Sequence, residues 1–204
     1  RRYLTAEVVN GVIYIIGGQV SDGSYVETVQ SYNITNNSIT TVAPLPTKRK
    51  QLNSVVYGNK IYVIGGQLEN DGAMTNVVEV YNPSVDLWTT LSPMPTAREC
   101  DVALIEDKIY AFGGYNGSTS LTTVEIYDIE NDSWTTANDM PYALSAYHLA
   151  SFENFVFLFG DYSAHIDEVN MFNANDDSWI KLSTNFTGRR HTAVVRNGDW
   201  IYVI

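Results

Sequence analysis

A glycine doublet closing a short apolar run occurs three times in this chain at a fixed interval, and a fourth copy differs from it by one residue. Gly17-Gly18 ends VIYIIGG, Gly65-Gly66 ends KIYVIGG, Gly113-Gly114 ends KIYAFGG and Gly160-Asp161 ends FVFLFGD, at spacings of 48, 48 and 47 residues. A repeat of this period makes the chain an array of like units, none of which buries its own faces alone, so the fold is built by stacking them. Each doublet is followed by an aromatic segment (VQSYN, VEVYN, VEIYD, VNMFN) carrying Tyr32, Tyr81, Tyr127 and Phe172. A tryptophan segment comes next, with Trp88, Trp134 and Trp179 at one repeat position and Ile39 standing there in the first copy.

Within each copy the apolar residues alternate or run in groups of four to six, rich in Val, Ile, Tyr and Phe and punctuated by Gly, Asn, Asp and Pro. That is a strand pattern, and no stripe at helical spacing competes with it. Asn10-Gly11, Gly58-Asn59, Glu106-Asp107 and Asn197-Gly198 read as hairpin turns joining an apolar strand to the strand that ends at the glycines. Each copy is therefore four strands, A to D, represented by SVVY, KIYVIGG, VVEVYN and LWTTLS.

These landmarks resemble the kelch motif: a doublet (Gly17, Gly18; Gly65, Gly66; Gly113, Gly114; Gly160 alone in the fourth copy), a tyrosine (Tyr32, Tyr81, Tyr127) and a tryptophan (Trp88, Trp134, Trp179). Neither the Gly-His nor the Trp-Asp pair of the rival WD repeat recurs. The resemblance covers essentially the whole chain and implies an all-β, kelch-type β-propeller whose blades are four-stranded antiparallel sheets. The second glycine is expected where a Cβ would collide, and the Tyr and Trp are expected to fill the seam between blades.

The copies run 1–46, 47–95, 96–141 and 142–187, with a fifth begun at 188–204 that supplies strands A and B. The chain is accordingly expected to be a single kelch segment, part of a propeller of about six blades by the resemblance. Otherwise its exposed strand edges would pair with another chain.

Charge narrows the partners. Twelve bases against 23 acids give a net charge of -11, which excludes a whole-surface nucleic-acid binder, since phosphates demand clustered cations. No apolar run approaches the length of a membrane helix. The single Cys100 forms no intrachain disulfide and leaves the compartment, cytoplasmic or extracellular, open. Eight bases (Arg1, Arg2, Lys48, Arg49, Lys50, Arg98, Arg189, Arg190) gather at the starts of A strands, while the C-to-D turns carry Asp86, Asp128, Glu130, Asp132, Asp176 and Asp177. With A innermost, as the resemblance implies, Arg2, Arg49, Arg98 and Arg190 are expected to ring the mouth of the central channel, broken at Leu144. Their planar guanidinium forks suit carboxylates. The bland counterpart is that they hold blades together through loop acids. The unequal B-to-C loops offer Tyr25, Tyr115, Asn116 and Tyr162 as contact residues.

Chemistry is thinly represented. His148, His165 and His191 lie on separate copies, no His-x-His or Cys-x-x-Cys spacing occurs, and the acidic turns at Asp22-Gly23 and 69–72 lack a repeated ligand spacing. No metal, cofactor or catalytic residue is expected. The reading is a non-catalytic protein-interaction module that presents its B-to-C and D-to-A loops to a protein or peptide partner, an acidic segment suiting the arginines. A channel-site enzyme on a sugar or sugar acid, of the sialic-acid epimerase or oxidase kind found among kelch proteins, and a structural spacer are the alternatives.

Overall fold

The computed structural model describes residues 1–69, 72–162, 167–182 and 184–204. His165, and residues 70 and 71 of the second acidic turn, lie outside them. The chain divides into two compact units, Arg1–Cys100 and Asp101–Ile204.

The first unit contains β1 (Thr5–Val9), β2 (Val12–Ile16), β3 (Val29–Asn33), β4 (Ser38–Val42), β5 (Arg49–Lys50), β6 (Asn53–Tyr57), β7 (Lys60–Ile64), β8 (Gln67–Leu68), β9 (Val78–Asn82) and β10 (Leu87–Leu91). Two four-stranded antiparallel sheets result, β1-β2-β3-β4 and β6-β7-β9-β10, with β5 and β8 paired at the end of the second. In these sheets the tight turns follow from the residues named above: Asn10 and Gly11, like Gly58 and Asn59, all take positive φ, the twist that a two-residue hairpin needs. The core lies between the two sheets. Ile16 and Val29 of the first and Ile61, Val63 and Tyr81 of the second are buried in one cluster, with Tyr81 meeting Tyr14 edge-on at 5.7 Å and Trp88 at a tilt at 5.0 Å. A single small sheet has no interior, so this cluster is what makes two blades a folded unit.

The second unit repeats the plan. β11 (Glu99–Ile105), β12 (Lys108–Tyr115), β13 (Val124–Asp128) and β14 (Ser133–Thr136) form one sheet. β15 (His148–Phe152), β16 (Phe155–Phe159), β17 (Val169–Asn173) and β18 (Ser178–Leu182) form another, and β19 (Val194–Asn197) pairs with β20 (Trp200–Val203). The last hairpin turns at Gly198 and Asp199, one residue beyond the expected Asn197-Gly198, because β19 keeps Asn197 paired with Trp200. Here the core packs Tyr110, Phe112, Leu144, Val156, Leu158 and Phe172 together, with Trp179 against them. The fourth copy, with Phe172 for a tyrosine and Asp161 for a glycine, is thus a complete blade. Asp161 is buried, and its carboxylate accepts the Ser145 N–H at 3.1 Å. Cys100 is a buried thiol.

Candidate functional site

The repeat landmarks converge on the joints between blades. In the first unit the Gly18 N–H donates to the Arg49 carbonyl at 3.1 Å and the Gly66 N–H to the Arg98 carbonyl at 3.0 Å, so each doublet is stitched to the chain entering the next blade. In the second unit the Gly114 N–H meets the Leu144 carbonyl in the same way. The approach leaves no room for a side chain: a Cβ on Gly65 would lie 2.4 Å from the Arg98 carbonyl oxygen, and one on Gly66 would lie 2.6 Å from that of Lys50. Both glycines are therefore required, the first by the neighbouring blade and the second by its own.

The tyrosine and tryptophan form a second joint at the opposite end of the sheet. The Tyr81 hydroxyl donates to Asp86 at 2.6 Å, and Asp86 holds the Ala43 N–H of the preceding blade at 2.8 Å while Trp88 donates its indole N–H to the Ala43 carbonyl at 3.0 Å. Tyr32 to Asn37 and Tyr127 to Asp132 repeat the hydroxyl bond, and Trp179 to the Asn138 carbonyl repeats the indole bond. Burial and the Asp86 carboxylate raise the Tyr81 hydroxyl pKa, and the Tyr81 and Ala43 donors hold the Asp86 carboxyl below its ordinary value.

The four arginines of the expected ring occupy two different repeat positions. Matching each chain segment to the glycine amide it receives aligns Arg49 and Arg98 with Leu144, whereas the second-glycine contacts align Arg2 with Lys50. Arg49 is enclosed. It donates to Glu79 at 2.5 Å, to the Gly65 carbonyl at 2.8 Å and to the Thr47 carbonyl at 2.8 Å, and neither Arg49 nor Glu79 exposes more than 1% of its side chain. Burial lowers the Arg49 pKa while Glu79 works to raise it. Arg98 is likewise buried, as is Glu125, which holds in its repeat the place of Glu79. In the first blade the same place is taken by Arg1, donating to Gln30 at 2.5 Å and to the Thr28 carbonyl at 2.8 Å. The fourth copy changes both members, to Leu144 and a buried Asn170 that accepts the Tyr142 hydroxyl.

Arg2 and Lys50 make a different arrangement on the first unit. Arg2 is exposed, its Nε donating to the Gln19 side chain at 3.1 Å and its guanidinium lying 5.3 Å over the Tyr3 ring. The Lys50 ammonium sits over Tyr3 at 5.4 Å and Tyr25 at 4.9 Å. Tyr25 is fixed in turn: its hydroxyl donates to Gln67 at 3.0 Å and its N–H to Glu69 at 2.7 Å, while Lys48 binds the other oxygen of Glu69 at 2.6 Å. Gln19 and Gln67 each donate to a carbonyl of their own loop, at Gly23 and Gly72, both at 2.7 Å. A half-exposed Tyr3 flanked by two cations thus rests on a hydrogen-bonded floor of loop residues. Its positive φ of 57° is a property of the repeat, shared by Gln51, Ala146 and His191, and it lets the Tyr3 carbonyl accept the Gln51 N–H at 2.9 Å.

On the second unit Arg190 lies 4.9 Å over the exposed Tyr162. Tyr115 bridges to Ser120, and the Asn116 side chain accepts the Ser118 and Thr119 N–H groups, both at 2.9 Å, as the support of its own turn. Lys50 was counted among the clustered bases but not placed in the expected ring, and Tyr3 and the glutamines after the doublets escaped the sequence reading. The signal was available in the repeated GGQ of the first two copies and in the equivalence of Lys50 to Arg2. Likewise the acid of VEVY, a charge inside an apolar strand, marks the partner of a buried arginine.

The model of the KLHDC2/KLHL20/DRC7 Kelch-repeats domain matches residues 3–204. The chain belongs to the kelch-repeat family. This kelch chain is 28% identical over 193 residues to Kelch repeat and BTB domain-containing protein 2 of Cowpox virus (strain GRI-90 / Grishak), a match covering 85% of the chain and 35% of the relative's length. Among solved structures, that of YjhT superposes with a TM-score of 0.78 at 19% identity, covering 94% of this kelch chain and 68% of the other. This likeness is one of fold.

Proposed function

We propose that the chain is a protein-interaction module whose D-to-A and B-to-C loops receive an acidic peptide segment, the first unit contributing Arg2, Lys50, Tyr3 and Tyr25. The observation that carries this reading is Lys50 held between two tyrosine rings beside Arg2 in a chain whose net charge is -11. Cations fixed in advance lose little side-chain entropy on binding, and the rings offer apolar area to the partner's backbone. On the second unit, taken by itself, Arg190 over Tyr162 repeats the same cation-and-ring chemistry, and Tyr115 and Asn116 belong to a further loop of that unit. Arg49 serves the site from beneath, by fixing the segment that carries Lys50 through its bonds to Glu79 and to the Gly65 and Thr47 carbonyls. Membership of the kelch family, whose domains typically bind other proteins, supports an interaction role.

The test is a two-dimensional amide NMR titration with a short alternating Glu-Gly peptide. Shifts centred on the amides of Tyr3, Lys50 and Gln51 support the reading. Shifts confined to the acidic turns at Asp86 and Asp132, or none at millimolar peptide, overturn it.

A further inference from the structure

The outer strand of the first blade departs from the repeat in three ways at once. The tryptophan position holds Ile39, which is 66% exposed. The turn residue with positive φ that is Asp86, Asp132 and Asp177 in the other three blades is Asn37. From Thr28 to Thr47 the sequence contains no Asp, Glu, Lys or Arg, although the chain carries 35 such residues. β4 lies at the edge of its sheet, paired on one side to β3 alone, and four of its five residues are exposed. Natural edges are guarded by charge, proline or bulges; β18 has Lys181 within it, and β10 and β14 are each directly preceded by an aspartate, Asp86 and Asp132. β4 has no such guard, and its SITTV sequence is rich in β-branched residues that favour extended pairing.

We infer that β4 is a self-pairing edge through which two copies of this chain form a weak antiparallel dimer centred on Thr40. Charge chooses the occupant. Two molecules of net charge -11 repel over most of their surfaces, and this neutral edge is where they approach at least cost. Centring the pair on Thr40 sets Ile39 opposite Thr41 and Ser38 opposite Val42, contacts that suit a two-fold interface in which the same patch meets itself. At the ends Asn37 meets the partner's Ala43, whose N–H is held by Asp86. An amide at residue 37 is tolerated there, whereas a carboxylate would face Asp86. A five-residue edge is far smaller than a permanent interface, so the dimer forms only at high concentration.

Sedimentation equilibrium of the 204-residue chain across a micromolar-to-millimolar range tests this, with Asn37→Asp and Ile39→Lys as variants at exposed positions. The expected result is a concentration-dependent dimer whose midpoint moves at least tenfold higher in both variants. Thr40→Cys should oxidise to a covalent dimer, since residues facing each other across an antiparallel pair lie within disulfide reach. Thr89→Cys, the equivalent position on β10, should not. A monomer at every concentration, a dimer unaffected by both charge variants, or equal crosslinking from Thr40 and Thr89 overturns the inference.

Discussion

The Arg49 guanidinium and the Glu79 carboxylate meet at 2.5 Å where neither reaches solvent, joining the chain that enters the second blade to that blade's third long strand. Breaking such a pair leaves an uncompensated buried charge. Arg49→Leu or Glu79→Ala alone is expected to cost about 3–5 kcal/mol. The double change Arg49→Leu with Glu79→Asn, which copies the Leu144 and Asn170 of the fourth copy, should cost less than either single change. Urea unfolding of the three variants measures this, and a double variant as unstable as the sum of the singles would contradict it.

The doublet glycines should be nearly intolerant. Gly65 has φ 59° and no space for a Cβ against the Arg98 carbonyl. Gly65→Ala is therefore expected to destabilise by about 2–4 kcal/mol, strain and clash adding, whereas Gly23→Ala, with nothing within 4 Å of its Cβ, should pay for φ alone. Thermal unfolding of the pair compares the two costs directly.

Tyr81→Phe removes the hydroxyl bond to Asp86 while keeping the ring between Tyr14 and Trp88, and should cost about 1 kcal/mol. The Asp86 pKa is depressed by the Tyr81 and Ala43 donors. A depressed carboxyl stabilises the fold above its unfolded pKa and loses that contribution as pH falls through the folded value. The difference between wild type and Tyr81→Phe should therefore narrow on acidification below the ordinary carboxylate range, as read by chemical denaturation.

In the second unit β11 and β15, the first strands of their sheets, are bridged by Asp101 and His148, 3.0 Å apart. Burial lowers the His148 pKa, but the hydrogen bond and charge of Asp101 outweigh it, and the net direction is up. A raised histidine stabilises the fold fully below its unfolded pKa of about 6.5 and loses that stability as pH rises through the folded value. Unfolding free energies should thus fall as pH rises above about 6.5 in the wild type, and His148→Gln should flatten that slope. An unchanged slope would assign the dependence elsewhere.

Much of this was legible in the repeat. The interval between doublets located every blade, and the tyrosine and tryptophan fell in the seams because a blade can bury their area nowhere else. The arginines were harder to place. Arg49 and Arg98 are 49 residues apart while the doublets are 48 apart, and Arg1 rather than Arg2 stands 48 before Arg49, so a ring drawn through Arg2, Arg49 and Arg98 mixed two repeat positions. Loop length shifts a register that strands keep, and only the glycine-to-carbonyl bonds restored it. Lys50 was hidden for the same reason, next to an arginine that looked the better ligand but is enclosed by Glu79. Gln19 and Gln67 carry no charge to draw notice, and their role as a floor exists only after the loops fold back on themselves.

The most direct test of the account is the affinity of a fluorescein-labelled Glu-Gly peptide, followed by anisotropy at low and at physiological salt. Arg2→Ala with Lys50→Ala is predicted to weaken binding at least tenfold and to flatten its salt dependence, while Lys60→Ala, at the exposed start of β7, leaves both unchanged. Equal affinity for the double variant and the wild type, or a preference for a Lys-Gly peptide, would contradict the proposed site.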